Sequence, residues 1–216
     1  MKMTKIILKK GREDSLRRFH PWVFSGAIAQ IVGEPAEGDI VGVFSQSGEF
    51  LAYGHYQVGS IAVRVLSFAG EDVLSPDFWR NMIARALRVR IAAGLSGSKD
   101  TNCYRLVHGE GDGLPGLIID YYDGICVMQA HSVGMFRAKG AISEALKSVY
   151  GPSLKAVYDK SSSTAPFKAG LELVDGYLYR SEGFSDDEQI VLENGHKFFV
   201  NWTEGQKTGF FLDQKY

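Results

Sequence analysis

Over the first 70 residues, hydrophobic and polar positions alternate with a short period. Ile6 to Lys10, Asp39 to Phe44, Phe50 to Tyr56 and Ile61 to Phe68 carry β-branched or aromatic residues in partial alternation, with Gly38 and Ser47-Gly48 between them. A period near two, broken by glycine, predicts short strands, and several of them at close spacing predict a small barrel. The segment HPWVFSGAI, His20 to Ile28, shows no such period and is expected to form a loop or short helix.

The period then lengthens. Ser75 precedes Pro76, a favourable cap and first-turn pair, and Phe78, Trp79, Met82, Ile83, Ala86, Leu87 and Ile91 recur at helical spacing as far as Gly94. The opposite face of that helix, with Arg80, Arg85, Arg88 and Arg90, reads as a solvated surface. Strands are predicted at Tyr104 to His108, Leu117 to Tyr122 and Ile125 to Ala130, the last two joined by the tight turn Asp123-Gly124. A second helix, Met135 to Tyr150, stops at Gly151-Pro152, and a strand follows from Leu154 to Tyr158. The stretch SSSTAPFKAG reads as a flexible loop, and Gln189 to Leu192 and Lys197 to Trp202 flank the hairpin signal Asn194-Gly195.

Composition changes this picture little: 45% hydrophobic and 23% charged residues in a chain of 216 describe an ordinary globular protein with room for two small domains. No apolar run approaches the roughly 20 residues that cross a bilayer, so no membrane association is expected. Cys103 and Cys126 have no spacing that would hold zinc, no metal is expected, and the expected location is cytoplasmic. Charge distribution says more than the net charge of −1. The first 105 residues hold 14 Lys and Arg against 10 Asp and Glu, the remainder 10 against 15. Lys2, Lys5, Lys9, Lys10, Arg12, Arg17 and Arg18 crowd the first 20 residues, where only Glu13 and Asp14 oppose them.

Three strings, HPWVFSGAI, RLVHGEGDGLPGLIIDYY and GQKTGFFLDQ, in this order resemble the bacterial 23S rRNA cytosine-5 methyltransferases that use S-adenosylmethionine. The resemblance covers nearly the whole chain, although the final residues DQKY depart from its usual continuation. It implies an α+β protein: a PUA-like RNA-binding barrel over 1–72, a mixed strand-helix domain over 73–203, and an entry segment, 204–216, of a truncated methyltransferase domain. The Rossmann-like methyltransferase domain itself is expected to be missing from the chain. Gln206, Lys207, Thr208 and Phe210 are the implied cofactor-side residues, the alternative being a connecting strand whose Phe210 and Phe211 fill core.

Methylation at cytosine C5 requires a thiolate to add to C6, and the cofactor requires a glycine-rich turn after a strand. No strand followed by GxGxxG occurs, and both cysteines sit in apolar or unactivated settings. The chain is therefore expected to be catalytically silent and to bind free cofactor poorly. Its expected work is contact with ribosomal RNA, and the sequence leaves open whether it forms a homodimer. Trp22 and His20 beside Arg17 and Arg18 combine stacking surface with phosphate-pairing charge, Lys9 and Lys10 extend the track, and Arg64 joins from a later strand. Trp22 could equally be barrel core; Phe24 is read as core. Two other readings stand beside this one. The first is a stand-alone PUA-type RNA-binding protein. The second is a small hydrolase using Glu110, Asp112 and Asp120, against which the glycine- and proline-rich GEGDGLPG argues for a compact turn.

Overall fold

The computed structural model describes residues 3–68, 72–166, 170–185 and 189–212. The early strands form as expected: β1 (Lys5–Leu8), β4 (Ile40–Phe44), β5 (Phe50–Tyr56) and β6 (Ile61–Ser67). The segment expected to be a loop or short helix, 20–28, holds strand β2 (Trp22–Phe24) and a 3-10 turn, and β3 (Ile28–Val32) begins at its last residue; a short helix α1 (Asp14–Arg17) precedes them. Three residues cannot display a period, and β2 exists because Val23 and Trp22 pair with Val63 and Arg64 about 40 positions away. The six strands lie in the order β2-β6-β5-β4-β1-β3, antiparallel except for the parallel pair β1–β4. They enclose Ile6, Leu8, Val23, Val41, Val43, Ala52, Val63 and Val65.

The second layer system is built on a five-stranded sheet. Its strands are β7 (Cys103–His108), β8 (Leu117–Tyr122), β9 (Ile125–Ala130), β10 (Ala156–Asp159) and β11 (Gly176–Arg180), in the order β11-β10-β9-β8-β7. The β9–β10 pair is parallel. Parallel neighbours need a crossover, supplied by α3 (Val133–Arg137) and α4 (Lys139–Tyr150). Helices α2 (Phe78–Ala92) and α4 cover one face, with Met82, Ile83, Ile142 and Leu146 against Leu106, Ile119, Cys126 and Met128. A hairpin, β12 (Gln189–Glu193) and β13 (His196–Val200), covers the other, where Val191, Val200 and Trp202 meet Tyr122, Ile125 and Val127. With both faces covered, β9 is buried at every position, Gln129 included, so Cys126 belongs to a strand buried on both sides rather than on one. Each such core side chain contributes about 1.5–3 kcal/mol.

Several local expectations change. Helix α2 starts at Phe78, and Ile91, which periodicity placed on the apolar face, is 55% exposed. Arg90, assigned to the solvated face, instead turns inward to pair with Asp112. The helix expected from Met135 to Tyr150 begins at Val133, where the Ser132 hydroxyl accepts the Met135 N–H at 3.3 Å, and breaks at Ala138. The first half of the expected flexible loop is pinned: the Ser161 hydroxyl accepts the Ala130 N–H and donates to Asp159, and Thr164 donates to the Ala130 carbonyl. Residues 167–169 of that stretch, and the closing 213–216, lie outside the described residues.

The two sheets pack together through His55. Its ring, 4% exposed, stacks on Trp79 of α2 with centroids 6.3 Å apart and lies against the backbone of Gly134. A Cβ at Gly134 would fall 2.2 Å from that ring, so only glycine allows the approach. Arg137 reaches Asp39 across the same seam at 3.6 Å.

Candidate nucleic-acid interface

Strand β2 places an aromatic cluster at the edge of the six-stranded sheet. Trp22 is half-buried, Phe24 is 47% exposed, and the His20 ring sits 5.9 Å from each. His20 Nδ1 accepts the Trp22 backbone N–H at 3.2 Å, which holds the turn into β2. Phe24 is therefore surface, contrary to its core reading: alternation in β2 sends Val23 inward and its two neighbours outward. Beside these rings lies a cavity of about 360 Å³ lined by Arg12, Ser15, Leu16, Trp22 and Phe24 among others. Arg12 was visible only as one of the early cations; its position on the cavity depends on how the chain turns after β1.

The expected basic track is only partly assembled. Lys9 Nζ donates to the Gly26 carbonyl at 2.9 Å, next to the cavity, and Lys10 and Arg18 are exposed. Arg17 turns to Glu49 at 2.6 Å, and that contact raises its pKa further. Arg64 faces Trp22 across the β2–β6 ladder, its guanidinium 5.8 Å from the indole centroid. Its Nε donates to Gln57 at 2.8 Å and its Nη1 to Glu110 at 3.2 Å, while the indole N–H of Trp22 donates to the same Glu110 oxygen at 2.8 Å. Burial lowers the Arg64 pKa, and Glu110 opposes that shift. His131 at the end of β9 is near enough for Arg64, Glu110 and Arg105 to influence it; burial and the two arginines lower its pKa.

The acidic loop does not form a shared carboxylate site. Glu110 faces Arg64, Asp112 pairs with Arg90, and Asp120 accepts from Arg105 at 2.9 and 3.1 Å. Each carboxylate is engaged by its own arginine, so none is placed opposite another as glycoside or ester hydrolysis would need. Among the described residues, no group of three His, Cys, Asp or Glu side chains could hold a metal ion, and no helix is long and apolar enough to cross a membrane.

The GQKTG segment curls against the hairpin. Gly205 touches its own turn so closely that a Cβ would lie 2.2 Å from the Asn201 carbonyl. Lys160, buried at the end of β10, donates to the Trp202 carbonyl at 2.5 Å and to that of Gly205. Thr208 is buried: its hydroxyl donates to Asp120 at 2.6 Å and meets the Tyr122 hydroxyl at 3.0 Å. Phe210 packs on Phe198 at 5.0 Å, Lys207 lies over the Phe211 ring at 4.5 Å, and Gln206 is exposed. Both cysteines are buried; burial pushes the Cys126 thiol far up, and Cys103 Sγ donates to the Leu192 carbonyl at 3.5 Å.

Residues 6–68 match the family model of a PUA-like domain. The chain superposes with a TM-score of 0.77 on "A putative sam-dependent methyltransferase from Streptococcus mutans", at 23% identity, over 99% of this chain and 52% of that one. A second solved structure, a "putative methyltransferase complexed with SAH", gives a TM-score of 0.78 at 22% identity over 98% of this chain. Among curated proteins, the chain is 38% identical over 215 residues to "Ribosomal RNA large subunit methyltransferase I" of Pseudoalteromonas translucida. It is 42% identical over 218 residues to the protein of the same name in Photobacterium profundum. These alignments take in 97% and 98% of this chain, which spans about half the length of either relative, 52%.

These findings overturn the expectation of an α+β portion from which the methyltransferase domain is missing, because a chain named a putative SAM-dependent methyltransferase shares this fold over 99% of these residues. The expectation rested on the family resemblance, whose last string was read as the entry to that domain, and on the lack of a glycine fingerprint and of an activated cysteine. A fingerprint reports a single turn, whereas the path of the backbone follows from how strands and helices pack.

Proposed function

We propose that this chain provides RNA docking and substrate positioning in an S-adenosylmethionine-dependent methyltransferase of large-subunit ribosomal RNA. The finer reading is 23S rRNA as substrate and cytosine C5 as the methylated atom. Residues 1–72 are assigned to RNA docking, 73–203 to a second domain and 204–216 to a segment that carries the cofactor-side candidates. The observation that carries the reading is the Trp22–Phe24–His20 cluster, with Phe24 exposed and the other two rings half-buried, beside a cavity that Arg12 helps to line, within the residues that match a PUA-like domain. Aromatic faces stack on unpaired bases, and nearby Lys and Arg neutralise phosphates, the combination that looped or single-stranded RNA requires. The identities of 38% and 42% to proteins named as rRNA methyltransferases support the substrate class.

S-adenosylmethionine supplies an activated methyl group on sulfur. Of the four residues implied for it, Gln206 and Lys207 keep polar ends at the surface and fit a ligand-contacting role. Thr208 and Phe210 are already used by Asp120, Tyr122 and Phe198 and fit the role of holding the loop. Isothermal titration with the cofactor tests this: Lys207→Ala should weaken any binding seen with the unaltered chain, whereas equal affinity rejects Lys207 as a contact.

Phe24→Ala is the direct test of RNA docking, because this ring is exposed and carries no hydrogen bond that its removal would break. Loss of one stacking platform should weaken binding of a labelled 23S-derived RNA about 5- to 100-fold. Affinity should also fall steeply as salt rises from 50 to 200 mM. Anisotropy titrations that show no RNA affinity even at low salt would reject the proposal.

A further inference from the structure

We infer that the Trp22 indole N–H and the Arg64 guanidinium form a phosphodiester-binding site, which the Glu110 carboxylate fills until an RNA phosphate displaces it. The inference rests on the RNA-docking reading and adds the substrate group recognised and the element that competes with it.

One oxygen of Glu110 receives both donors, at 2.8 Å from Trp22 Nε1 and 3.2 Å from Arg64 Nη1. A non-bridging phosphate oxygen has the same charge character and accepts the same convergent pair. The donors are pre-organised from elsewhere: Gln57 holds Arg64 Nε, the indole face lies beneath the guanidinium, and the β2–β6 ladder fixes both backbones. None of these restraints involves Glu110. The Arg64 side chain is only 14% exposed while that of Glu110 is 36% exposed, so the carboxylate is the more accessible member of the pair.

Glu110 is also free to leave. It sits in a 3-10 turn between Gly109 and Gly113, both at positive φ, and Gly111 follows it directly. The neighbouring Asp112 is anchored by Arg90 and by the His108 backbone N–H at 2.6 Å, so the loop keeps its place when Glu110 swings aside.

The competing view is that Glu110 merely ties the two sheets together, and the two views predict opposite signs. Binding of a labelled single-stranded RNA to the full chain at 50 mM salt should be measured for wild type, Glu110→Gln, Arg64→Gln and the double variant. Displacement predicts that Glu110→Gln tightens binding about three- to tenfold and that the gain vanishes when Arg64 is also replaced. Glu144→Gln, which removes a remote negative charge from α4, should leave affinity within about twofold. Equal or weaker binding by Glu110→Gln overturns the inference while leaving RNA docking intact. A gain that persists without Arg64 overturns it as well. No binding by the wild type rejects the docking reading itself, and the inference with it. The wild-type indole ¹H–¹⁵N spectrum gives a readout independent of how the variants fold: RNA must shift the Trp22 signal more than those of Trp79 and Trp202, and an unmoved Trp22 signal overturns the inference.

Discussion

Asp120→Ala should lower the unfolding free energy by about 3–5 kcal/mol, the cost of removing one member of a buried pair. Asp120 is fully buried on β8, accepts two hydrogen bonds from Arg105 and takes a third from Thr208. Its loss leaves a guanidinium without its carboxylate and removes one of two β8 side chains, Asp120 and Tyr122, that hold Thr208 of the GQKTG turn to the sheet. Arg105 retains partial exposure, 27% for its side chain, and can recover some hydration, which favours the lower end of the range. For a chain of this size that end corresponds to a midpoint lowered by roughly 6 to 12 °C. Asp120→Asn keeps an acceptor for Thr208 and should lose less. Urea unfolding of both variants measures the difference, and an Asp120→Ala unfolding free energy within about 1 kcal/mol of wild type would mean the network is not a structural centre.

Acid should loosen the seam between the two sheets through His55. Burial depresses its pKa from 6.5 to about 4, and its Nδ1 has no hydrogen-bond partner among the described residues. Above pH 6.5 the ring is neutral in both folded and unfolded chains and adds no pH dependence. Between pH 6.5 and 4 the unfolded chain takes up a proton that the folded protein refuses, so stability falls as pH falls. At 1.36 kcal/mol per unit, the loss reaches about 3 kcal/mol at pH 4. Other groups titrate in the same window, so the comparison is with His55→Leu, whose profile should lack this component whatever its baseline stability. Parallel profiles for the two proteins over that interval would exclude His55 as the source.

The legible parts of the fold were the local ones. The Asp123-Gly124 and Asn194-Gly195 turns adopt the positive-φ pairs that their residues favour, and β5, β6, β8 and β9 lie within a residue or two of the segments marked by their periodicity. The hidden parts were those made by distant partners. Strand β2 has no period of its own, and β11 is a strand because it pairs antiparallel with β10. The candidate interface divides the same way. Trp22, His20 and Arg64 were visible as residue types, but nothing in their spacing indicated that Glu110, 88 positions from Trp22 and 46 from Arg64, would receive both donors.

By itself, then, the amino-acid order determined where the chain turns, which segments extend or coil, and which residue types could meet RNA. Those properties depend on backbone preference and side-chain period over a few residues. Tertiary structure alone decided that Arg90 points inward, that Phe24 stays at the surface, and that Glu110 rather than solvent meets Trp22 and Arg64. Hydrogen bonding and ion pairing act over a few ångströms of space, and only packing converts a separation of tens of residues into that distance.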